Sequence, residues 1–316
     1  MVLVYSDDPK MVLELLTKGK ELANALSQKV IAVIIGTDNH SKEYIAGGAD
    51  TVIVVESNLD GFKAEEYTDI LSAIITEEKS DVILIGSNKN GKELAPRLAS
   101  HFNTGCVTDC TNVYMKDKKL TTERIVYSGN AVAVEQFTTT PQIVTIPSKV
   151  YDPLKADTSH KGEVITKKIE PNQSASKILK IQELQSEGVN VEDAEIIVSC
   201  GRGLKDKNDI KLINDLATVL KGKTVGCSRP IAADLKWLSE DHWIGLSGHK
   251  VKPKLYVAAG ISGQIQHIAG MRDSGIIVAI NKDPEALIFK SADYGIVGDL
   301  YTVLPKLTDA LKAKMG

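Results

Sequence analysis

Three short segments of the C-terminal half combine glycine, serine and arginine in a way that suits an anionic ligand. The segments are Cys200-Gly201-Arg202-Gly203, Cys227-Ser228-Arg229-Pro230 and Gly260-Ile261-Ser262-Gly263-Gln264. Glycine lets the backbone approach a phosphate, and serine can cap a following helix and donate its hydroxyl to the same anion. A guanidinium pairs with phosphates and electron-rich rings in ways that a lysine ammonium does not. A tight turn with its cap explains each segment taken alone, but the three together favour a dinucleotide-type site.

Arginine is scarce in this chain, so its positions are informative. Five arginines accompany 33 lysines, and three of the five, Arg202, Arg229 and Arg272, lie in or beside these segments. A surface ion pair is the alternative role for each of them. His267 follows Gly263 by about one helical turn and could face the same ligand. A lone histidine is also common as a structural residue.

Other patterns that would indicate chemistry do not occur in the sequence. The turn at residues 260–263 lacks the GxSxG spacing of a hydrolase nucleophile elbow. No Walker A, HExxH or EF-hand spacing is found. Cys106 and Cys110 are four residues apart, but the nearest histidine, His101, falls in a different predicted element. The sequence therefore predicts neither acyl transfer nor a metal site, and it predicts that these cysteines are structural.

The candidate ligand-binding segments follow short apolar runs that predict buried parallel strands. In the second half, these runs cover residues 195–199, 224–227, 255–259, 276–280 and 294–297. Predicted helices there cover residues 209–220, 231–238, 263–271 and 300–314. In the first half, the predicted strands are residues 2–5, 30–36, 51–55 and 82–86, with amphipathic segments between them. Ligands of parallel α/β sheets bind beyond the carboxyl ends of the strands, where the candidate segments lie.

This order of elements predicts two α/β domains, each with a doubly wound and mostly parallel sheet. Residues 103–151 are rich in Thr, Val, Tyr and Gln, and they predict antiparallel strands appended to the first sheet. The polar stretch 151–193 predicts a linker. We therefore place an N-terminal domain at residues 1–188, ending in that linker, and a C-terminal domain at residues 189–316.

Composition excludes several classes of protein. The 316 residues carry a net charge of −3 and are 43% hydrophobic and 25% charged, as is typical of folded globular proteins. Because no basic field is present, nucleic acid is not an expected partner. The apolar runs are far shorter than the roughly 20 residues of a membrane span, so no stable membrane insertion is expected. Scattered cysteines and the lack of a leader pattern predict a cytoplasmic chain.

Several longer segments match a pattern that is known from one family. They are residues 255–267 (LYVAAGISGQIQH), 269–271 (AGM), 278–286 (VAINKDPEA) and 292–297 (ADYGIV). Residues 94–99 (LAPRLA) and 104–110 extend the match into the first half. Together these segments resemble the electron transfer flavoprotein α-subunit family, and the resemblance covers nearly the whole chain.

The resemblance implies one FAD held in the second domain. Arg229 is expected over the isoalloxazine ring, where it stabilises the reduced flavin, with Ser228 holding the cofactor nearby. His267 is expected to hydrogen-bond near the flavin C2 carbonyl, and Ser247 to donate to flavin N5. The remaining cofactor contacts that the family implies are, at the phosphate and ribityl loop, Gly260, Ser262, Gly263 and Gln266, and, at the adenosine and phosphate half, Arg202, Asn281, Asp299 and Leu300.

Two positions depart from the family pattern. Leu246 and Ser247 stand where the family commonly has Gln and Thr, so an apolar side chain replaces a polar one beside the flavin. The donor to flavin N5 is then the smaller serine side chain, which implies a different reduction potential of the flavin. Cys200 stands where the family has glycine before Gly-Arg-Gly, which affects the packing there.

The function implied by the resemblance is that of an electron carrier, which is not an enzyme. As the α subunit of a heterodimer, the chain would carry electrons from flavin dehydrogenases, such as the acyl-CoA dehydrogenases of fatty acid β-oxidation, to a quinone-linked oxidoreductase. The first domain is expected to contact the β subunit, which would hold AMP or a second FAD. With a second FAD, the alternative is an electron-bifurcating complex that oxidises NADH. A non-redox regulatory module that binds adenine nucleotides is a rival from another class.

Overall fold

The computed structural model describes residues 1–57, 59–117, 119–127, 131–181, 189–222 and 224–315. The chain divides into two compact units, Met1–Ile181 and Gln182–Gly316. The boundary predicted after residue 188 adjoins residues 182–188, which lie outside the described residues. Among the described residues, no helix is both long enough and apolar enough to span a membrane.

The first unit is built on a parallel sheet. Its described strands are β1 (Val2–Tyr5), β2 (Val30–Ile35), β3 (Thr51–Glu56), β4 (Val82–Gly86), β5 (Cys106–Val107), β6 (Cys110–Lys116), β7 (Lys119–Val126), β8 (Ala131–Gln136), β9 (Gln142–Ile146) and β10 (Glu163–Lys168). Its described helices are α1 (Pro9–Leu26), α2 (Ser41–Ala46), α3 (Ala64–Glu77) and α4 (Lys89–His101). Seven of these strands form the sheet, in the order β10-β3-β2-β1-β4-β9-β5.

The strands at the centre of this sheet are buried on both faces, which explains their continuous apolar sequence. In β1, Val2 and Val4 belong to one hydrophobic cluster, whereas Leu3 and Tyr5 belong to a second cluster on the other face. Helix α1 contributes to the first cluster, and helices α3 and α4 contribute to the second. The doubly wound parallel sheet predicted for this half is confirmed.

The strands after α4 differ in part from the prediction. β6, β7 and β8 form a three-stranded antiparallel sheet of their own, in which Met115 is opposite Leu120 and Thr121 is opposite Gln136. β5 and β9, however, are parallel members of the main sheet. The antiparallel prediction for residues 103–151 is therefore right for β6–β8 and wrong for β5 and β9. A buried run such as Ile143–Ile146 does not reveal its direction before its neighbours are known.

The polar stretch predicted as a linker contains strand β10. It pairs in parallel with β3, and Lys167 Nζ lies 2.8 Å from Glu77 Oε2 and 2.7 Å from Glu78 Oε1. The linker prediction is therefore wrong for residues 163–168. β10 is an edge strand, so it has a neighbouring strand on one side only. Exposed residues alternate with half-buried ones along most of its length, and it therefore lacks the continuous apolar sequence of the central strands.

The second unit holds a smaller parallel sheet. Its described strands are β11 (Ile196–Cys200), β12 (Thr224–Cys227), β13 (Leu255–Ala259), β14 (Ile276–Asn281) and β15 (Tyr294–Val297), and its α-helices are α5 (Ile210–Val219), α6 (Ile265–Met271) and α7 (Leu300–Met315). The strand order is β12-β11-β13-β14-β15, and every pair is parallel. The carboxyl ends of all these strands therefore lie along one edge. The second α/β sheet predicted from the sequence is confirmed.

Two predicted helices of this unit begin or end differently. Helix α6 starts at Ile265, because residues 260–264 form a turn in which Gly260 and Gly263 have positive φ. The helix predicted at residues 231–238 is a π-helical turn, Pro230–Asp234, closed by a hydrogen bond from Leu235 N to Pro230 O of 2.9 Å. Lys236 has a φ of 52°, which is incompatible with a continued right-handed helix.

Candidate functional site

A cavity of about 600 Å³ opens at the carboxyl edge of the second sheet. This volume is typical of small-molecule and cofactor sites. Twelve of the thirteen residues predicted as cofactor-binding line the cavity: Arg202, Ser228, Arg229, Leu246, Ser247, Gly260, Ser262, Gln266, His267, Asn281, Asp299 and Leu300. The fold thus gathers residues separated by about 100 positions, because consecutive parallel strands end at the same edge.

The loops after β11 and β13 contact each other backbone to backbone. Gly203 N donates to Gly260 O at 2.9 Å, and a Cβ on Gly203 would lie 2.5 Å from Gly260 Cα. Gly260 also has a φ of +65°, which a residue with a side chain rarely adopts. These glycines therefore permit a close approach that places the two loops together on one side of the cavity.

Gly263 is the predicted site residue that the structure does not bring to the cavity wall. A Cβ at this position would lie 2.1 Å from Ile288 N, and the φ of Gly263 is +81°. Ile288 N donates to Ser262 O at 3.1 Å. Gly263 is thus required for packing the loop against residues 287–291, and its neighbour Ser262 faces the cavity.

Positive charge predominates among the side chains that line the cavity. The lining contains four cationic side chains, those of Arg202, Lys205, Arg229 and Lys282, and one carboxylate, that of Asp299. Within the ranges that the structure describes, neither arginine takes part in an ion pair, so both are available to an anion. Four cations around one cavity attract a phosphate or diphosphate.

Arg272 is exposed but does not line the cavity, unlike Arg202 and Arg229.

Two lysines that line the cavity, Lys205 and Lys282, are not among the residues predicted from the sequence. Lys205 Nζ lies 5.1 Å from the centre of the Tyr301 ring. For Lys282, the position directly after the end of β14 is a sequence feature that could have predicted a place in the site. In a lysine-rich chain that signal is weak.

Ser228 and Arg229 are positioned by the ends of β11 and β12. Ser228 N donates to Cys200 O at 2.9 Å, and Ser228 O accepts from Ile231 N at 3.0 Å. Ser228 is buried, whereas the Arg229 side chain is exposed and lines the cavity. The backbone of this segment is therefore held on both sides while the guanidinium remains accessible to a ligand.

The loop that carries Leu246 and Ser247 is attached to helix α6. Leu246 N donates to Gln266 O at 2.7 Å, and Gly245 N donates to His249 O at 3.1 Å. Leu246 is 52% exposed and Ser247 is exposed, so both side chains are open to the cavity. Leu246 is an apolar surface beside polar groups, as expected where a ring system binds.

Asn281 and Asp299 already have protein partners. Asn281 Nδ2 donates to Ile261 O at 2.9 Å, and Asn281 Oδ1 accepts from Asp283 N at 3.0 Å. Asp299 Oδ1 accepts from Tyr301 N at 2.9 Å and thereby caps the start of α7. These two residues therefore shape the cavity wall, and each retains acceptor capacity for a ligand.

His267 is the one lining residue with an unsatisfied buried atom that a ligand could satisfy, among the residues that the structure describes. It is 6% exposed, and its Nε2 lies 2.9 Å from the hydroxyl of Tyr256, whereas Nδ1 is buried without a well-formed hydrogen bond in the described ranges. Burial lowers the pKa of His267 to about 4, against an opposing hydrogen bond between the ring and the Ile244 backbone, which is too poorly aligned to satisfy Nδ1. The imidazole is therefore neutral at pH 7, and it fits a ligand with a hydrogen-bonding group.

Cysteine side chains can act as nucleophiles and as metal ligands. All four cysteines are free, and burial raises the pKa of the Cys106 thiol to about 11 and that of Cys200 to about 12. Neither thiol is therefore an activated nucleophile at neutral pH. In the part of the chain that the structure describes, no three His, Cys, Asp or Glu side chains are grouped to hold a metal ion.

A parallel α/β unit with a cationic, glycine-lined cavity at its carboxyl edge is typical of the dinucleotide-binding class of proteins. Two sequence families match the chain and agree with this class. The electron transfer flavoprotein domain matches residues 6–172, and the electron transfer flavoprotein FAD-binding domain matches residues 190–272.

Curated relatives match over almost their full length. The electron transfer flavoprotein subunit alpha of Thermoanaerobacterium thermosaccharolyticum is 42% identical over 309 residues, covering 96% of this chain and 93% of the relative. That of Megasphaera elsdenii is 39% identical, covering 96% and 92%, and the protein FixB of Escherichia coli O127:H6 is 36% identical, covering 98% and 97%. This chain belongs to the electron transfer flavoprotein α-subunit family.

Proposed function

We propose that this chain binds one FAD in the cavity of its second unit and carries electrons as the α subunit of a heterodimer. The FAD-binding family matches residues 190–272, and the same stretch supplies most of the cationic lining of the cavity. That coincidence is the observation on which the proposal rests. The buried Nδ1 of His267 and the guanidinium groups of Arg202 and Arg229 are the kind of groups that a flavin carbonyl and a diphosphate would engage.

We assign the two ends of FAD to different groups of residues. At the isoalloxazine, Arg229 supplies a cation, Ser228 holds the ring nearby, Ser247 donates to N5, and His267 donates near the C2 carbonyl. Gly260, Ser262 and Gln266 adjoin the phosphates and ribityl chain, and Arg202, Asn281, Asp299 and Leu300 contact the adenosine and phosphate half. Gly263 supports this loop from behind through its packing on Ile288. FAD itself, when bound, accepts and passes on the electrons.

Leu246 changes the surroundings of the ring in this proposal. Its side chain offers no hydrogen bond, and it stands where the family commonly has glutamine. The neighbouring Ser247 hydroxyl is the remaining polar group of this pair. Fewer donors near the ring stabilise the reduced flavin less, so we infer a potential that is tuned differently from that of relatives with Gln-Thr.

We propose a β subunit that contacts the first unit and holds either AMP or a second FAD. Flavin dehydrogenases, such as acyl-CoA dehydrogenases, are the proposed donors, and a quinone-linked oxidoreductase is the proposed acceptor. The four free cysteines agree with a reducing compartment, and we propose the cytoplasm.

Co-expression with a β subunit from the same organism, followed by purification and flavin quantitation, tests the proposal. We expect a yellow heterodimer that contains one FAD. Two flavins per heterodimer would instead indicate the bifurcating complex, and a colourless heterodimer that binds only ATP or AMP would support the regulatory module. Arg202→Ala is expected to weaken FAD retention, whereas Arg272→Ala, which removes an exposed arginine outside the cavity of the same unit, should not.

A further inference from the structure

Behind His267 lies a tyrosine that neither the sequence pattern nor the cavity lining points to. Tyr256 is the second residue of β13, has 0% exposure and packs in the hydrophobic cluster that also contains Met271 of α6. Its hydroxyl lies 2.9 Å from His267 Nε2. Both partners are more than nine-tenths buried, so this hydrogen bond is shielded from water.

The direction of this hydrogen bond follows from counting donors and acceptors. A buried phenol proton needs an acceptor, and among the described residues His267 Nε2 is the partner that Tyr256 has with good geometry. Ser199, on the neighbouring strand β11, lowers the pKa of Tyr256 through a side-chain hydrogen bond, as a hydroxyl that donates to the phenol oxygen would, but the alignment of this bond is poor. The tyrosine therefore donates, and Nε2 accepts.

An accepting Nε2 determines where the other proton of the ring lies. The buried imidazole is neutral, so it carries one N–H, and Nε2 is already used as an acceptor. The proton must then lie on Nδ1, which forms no well-aligned hydrogen bond among the described residues, although the Ile244 backbone lies near enough to the ring to raise its pKa. Because His267 lines the cavity, a bound ligand can offer this N–H a better-aligned acceptor than the Ile244 backbone does.

We propose that Tyr256 is a positioning residue that fixes His267 as the neutral tautomer with its proton on Nδ1, so that the ligand meets a hydrogen-bond donor. The inference rests on the proposed function in so far as the ligand is FAD. A neutral donor stabilises negative charge that develops on a ligand carbonyl, and it places no formal charge beside the oxidised ring. Tyr256 acts only through His267 and does not line the cavity.

Nitrogen NMR of ¹⁵N-histidine-labelled heterodimer tests the tautomer directly. The chain has six histidines, and the His267 signals are identified by their loss in His267→Gln. At pH 7 we expect a protonated Nδ1 and an unprotonated Nε2, in both FAD-loaded and FAD-stripped protein. A protonated Nε2, or a doubly protonated ring, would overturn the inference.

Three variants separate positioning from a general effect on the core. Tyr256→Phe removes only the hydroxyl, and we expect the His267 tautomer to shift toward Nε2–H and FAD binding to weaken about two- to tenfold. Tyr5→Phe removes a buried hydroxyl from the first unit and should change neither readout. Ser199→Ala should also leave the tautomer unchanged, and a shift in that variant would assign the role to Ser199.

Failure of this inference and failure of the proposed function give different results. If the wild-type heterodimer contains no flavin, the proposed function fails, while the tautomer is still measured in the protein as purified. If flavin is bound but Tyr256→Phe retains the Nδ1–H tautomer, the positioning role of Tyr256 fails and the FAD assignment stands.

Discussion

Arg202 and Arg229 line the cavity with exposed side chains and form no ion pair among the described residues. Some lysines elsewhere do have such partners; Lys167, for example, pairs with Glu77 and Glu78. Surface ion pairs contribute little to stability, so an unpaired arginine is not by itself unusual. The two arginines indicate a binding site because they lie at the carboxyl edge of the second sheet, where anionic ligands bind.

Replacing Arg229 by alanine should lower the reduction potential of bound FAD. A solvent-exposed cation a few ångströms from a developing negative charge is worth about 1 kcal/mol, which corresponds to about 40 mV for a one-electron couple. A spectroelectrochemical titration of the heterodimer measures the shift. Arg229→Lys retains the charge and should shift the potential less, and Arg272→Ala should not shift it. An unchanged potential in Arg229→Ala would remove the residue from this role.

The loops at the carboxyl ends of the strands are the elements that build the site, and glycine controls their shape. Gly203 and Gly260 let two loops meet through their backbones, whereas Gly263 lets one loop pack on residues 287–291. Two of these glycines also have positive φ, at +65° for Gly260 and +81° for Gly263. A side chain at such a place adds backbone strain to any steric collision.

Comparison of Gly263→Ala with Gly36→Ala separates these two effects. Gly36 has a φ of +109°, and a Cβ at that position would have no atom within 4 Å among the described residues, so its substitution adds only backbone strain of about 1 kcal/mol. Gly263→Ala adds a collision with Ile288 N, and we expect a loss of about 3 kcal/mol or more. Chemical denaturation of each variant measures the free energy of unfolding. Equal losses would show that the collision is relieved without cost.

The whole molecule consists of two units that each enclose their own hydrophobic clusters. Leu84 of β4 and Leu216 of α5 are both completely buried, one in each unit. Each unit also has its own parallel sheet, so neither depends on the other for its backbone hydrogen bonds within the described residues. This arrangement is expected for domains that can unfold separately.

Leu84→Ala and Leu216→Ala should therefore act on different parts of the chain. Removing a buried leucine side chain costs about 2 to 5 kcal/mol. We expect Leu84→Ala to speed amide hydrogen exchange mainly in β1 and β4, and Leu216→Ala to speed it mainly in β11 and β12. Hydrogen exchange followed by mass spectrometry of the heterodimer measures both. Equal acceleration in both units by either variant would show that the two units unfold together.

Local sequence was sufficient for the parallel strands β1–β4 and β11–β15 and for most of the cavity. Buried parallel strands are continuous apolar runs, and the loops after them carry the residues that can reach a ligand. The same reasoning failed for β10, because an edge strand is polar and resembles a linker. It also failed for β5 and β9, because strand direction depends on which neighbours a strand pairs with.

Residue types and their spacing thus established the two α/β sheets, the family and the loops that surround the candidate site. Three-dimensional packing alone showed that Gly263 faces away from the cavity, that Lys205 and Lys282 add to its charge, and that Tyr256 contacts His267. The reason is physical. Strand and loop patterns arise from neighbours along the chain, whereas these three features arise from contacts between segments that only the folded chain brings within a few ångströms.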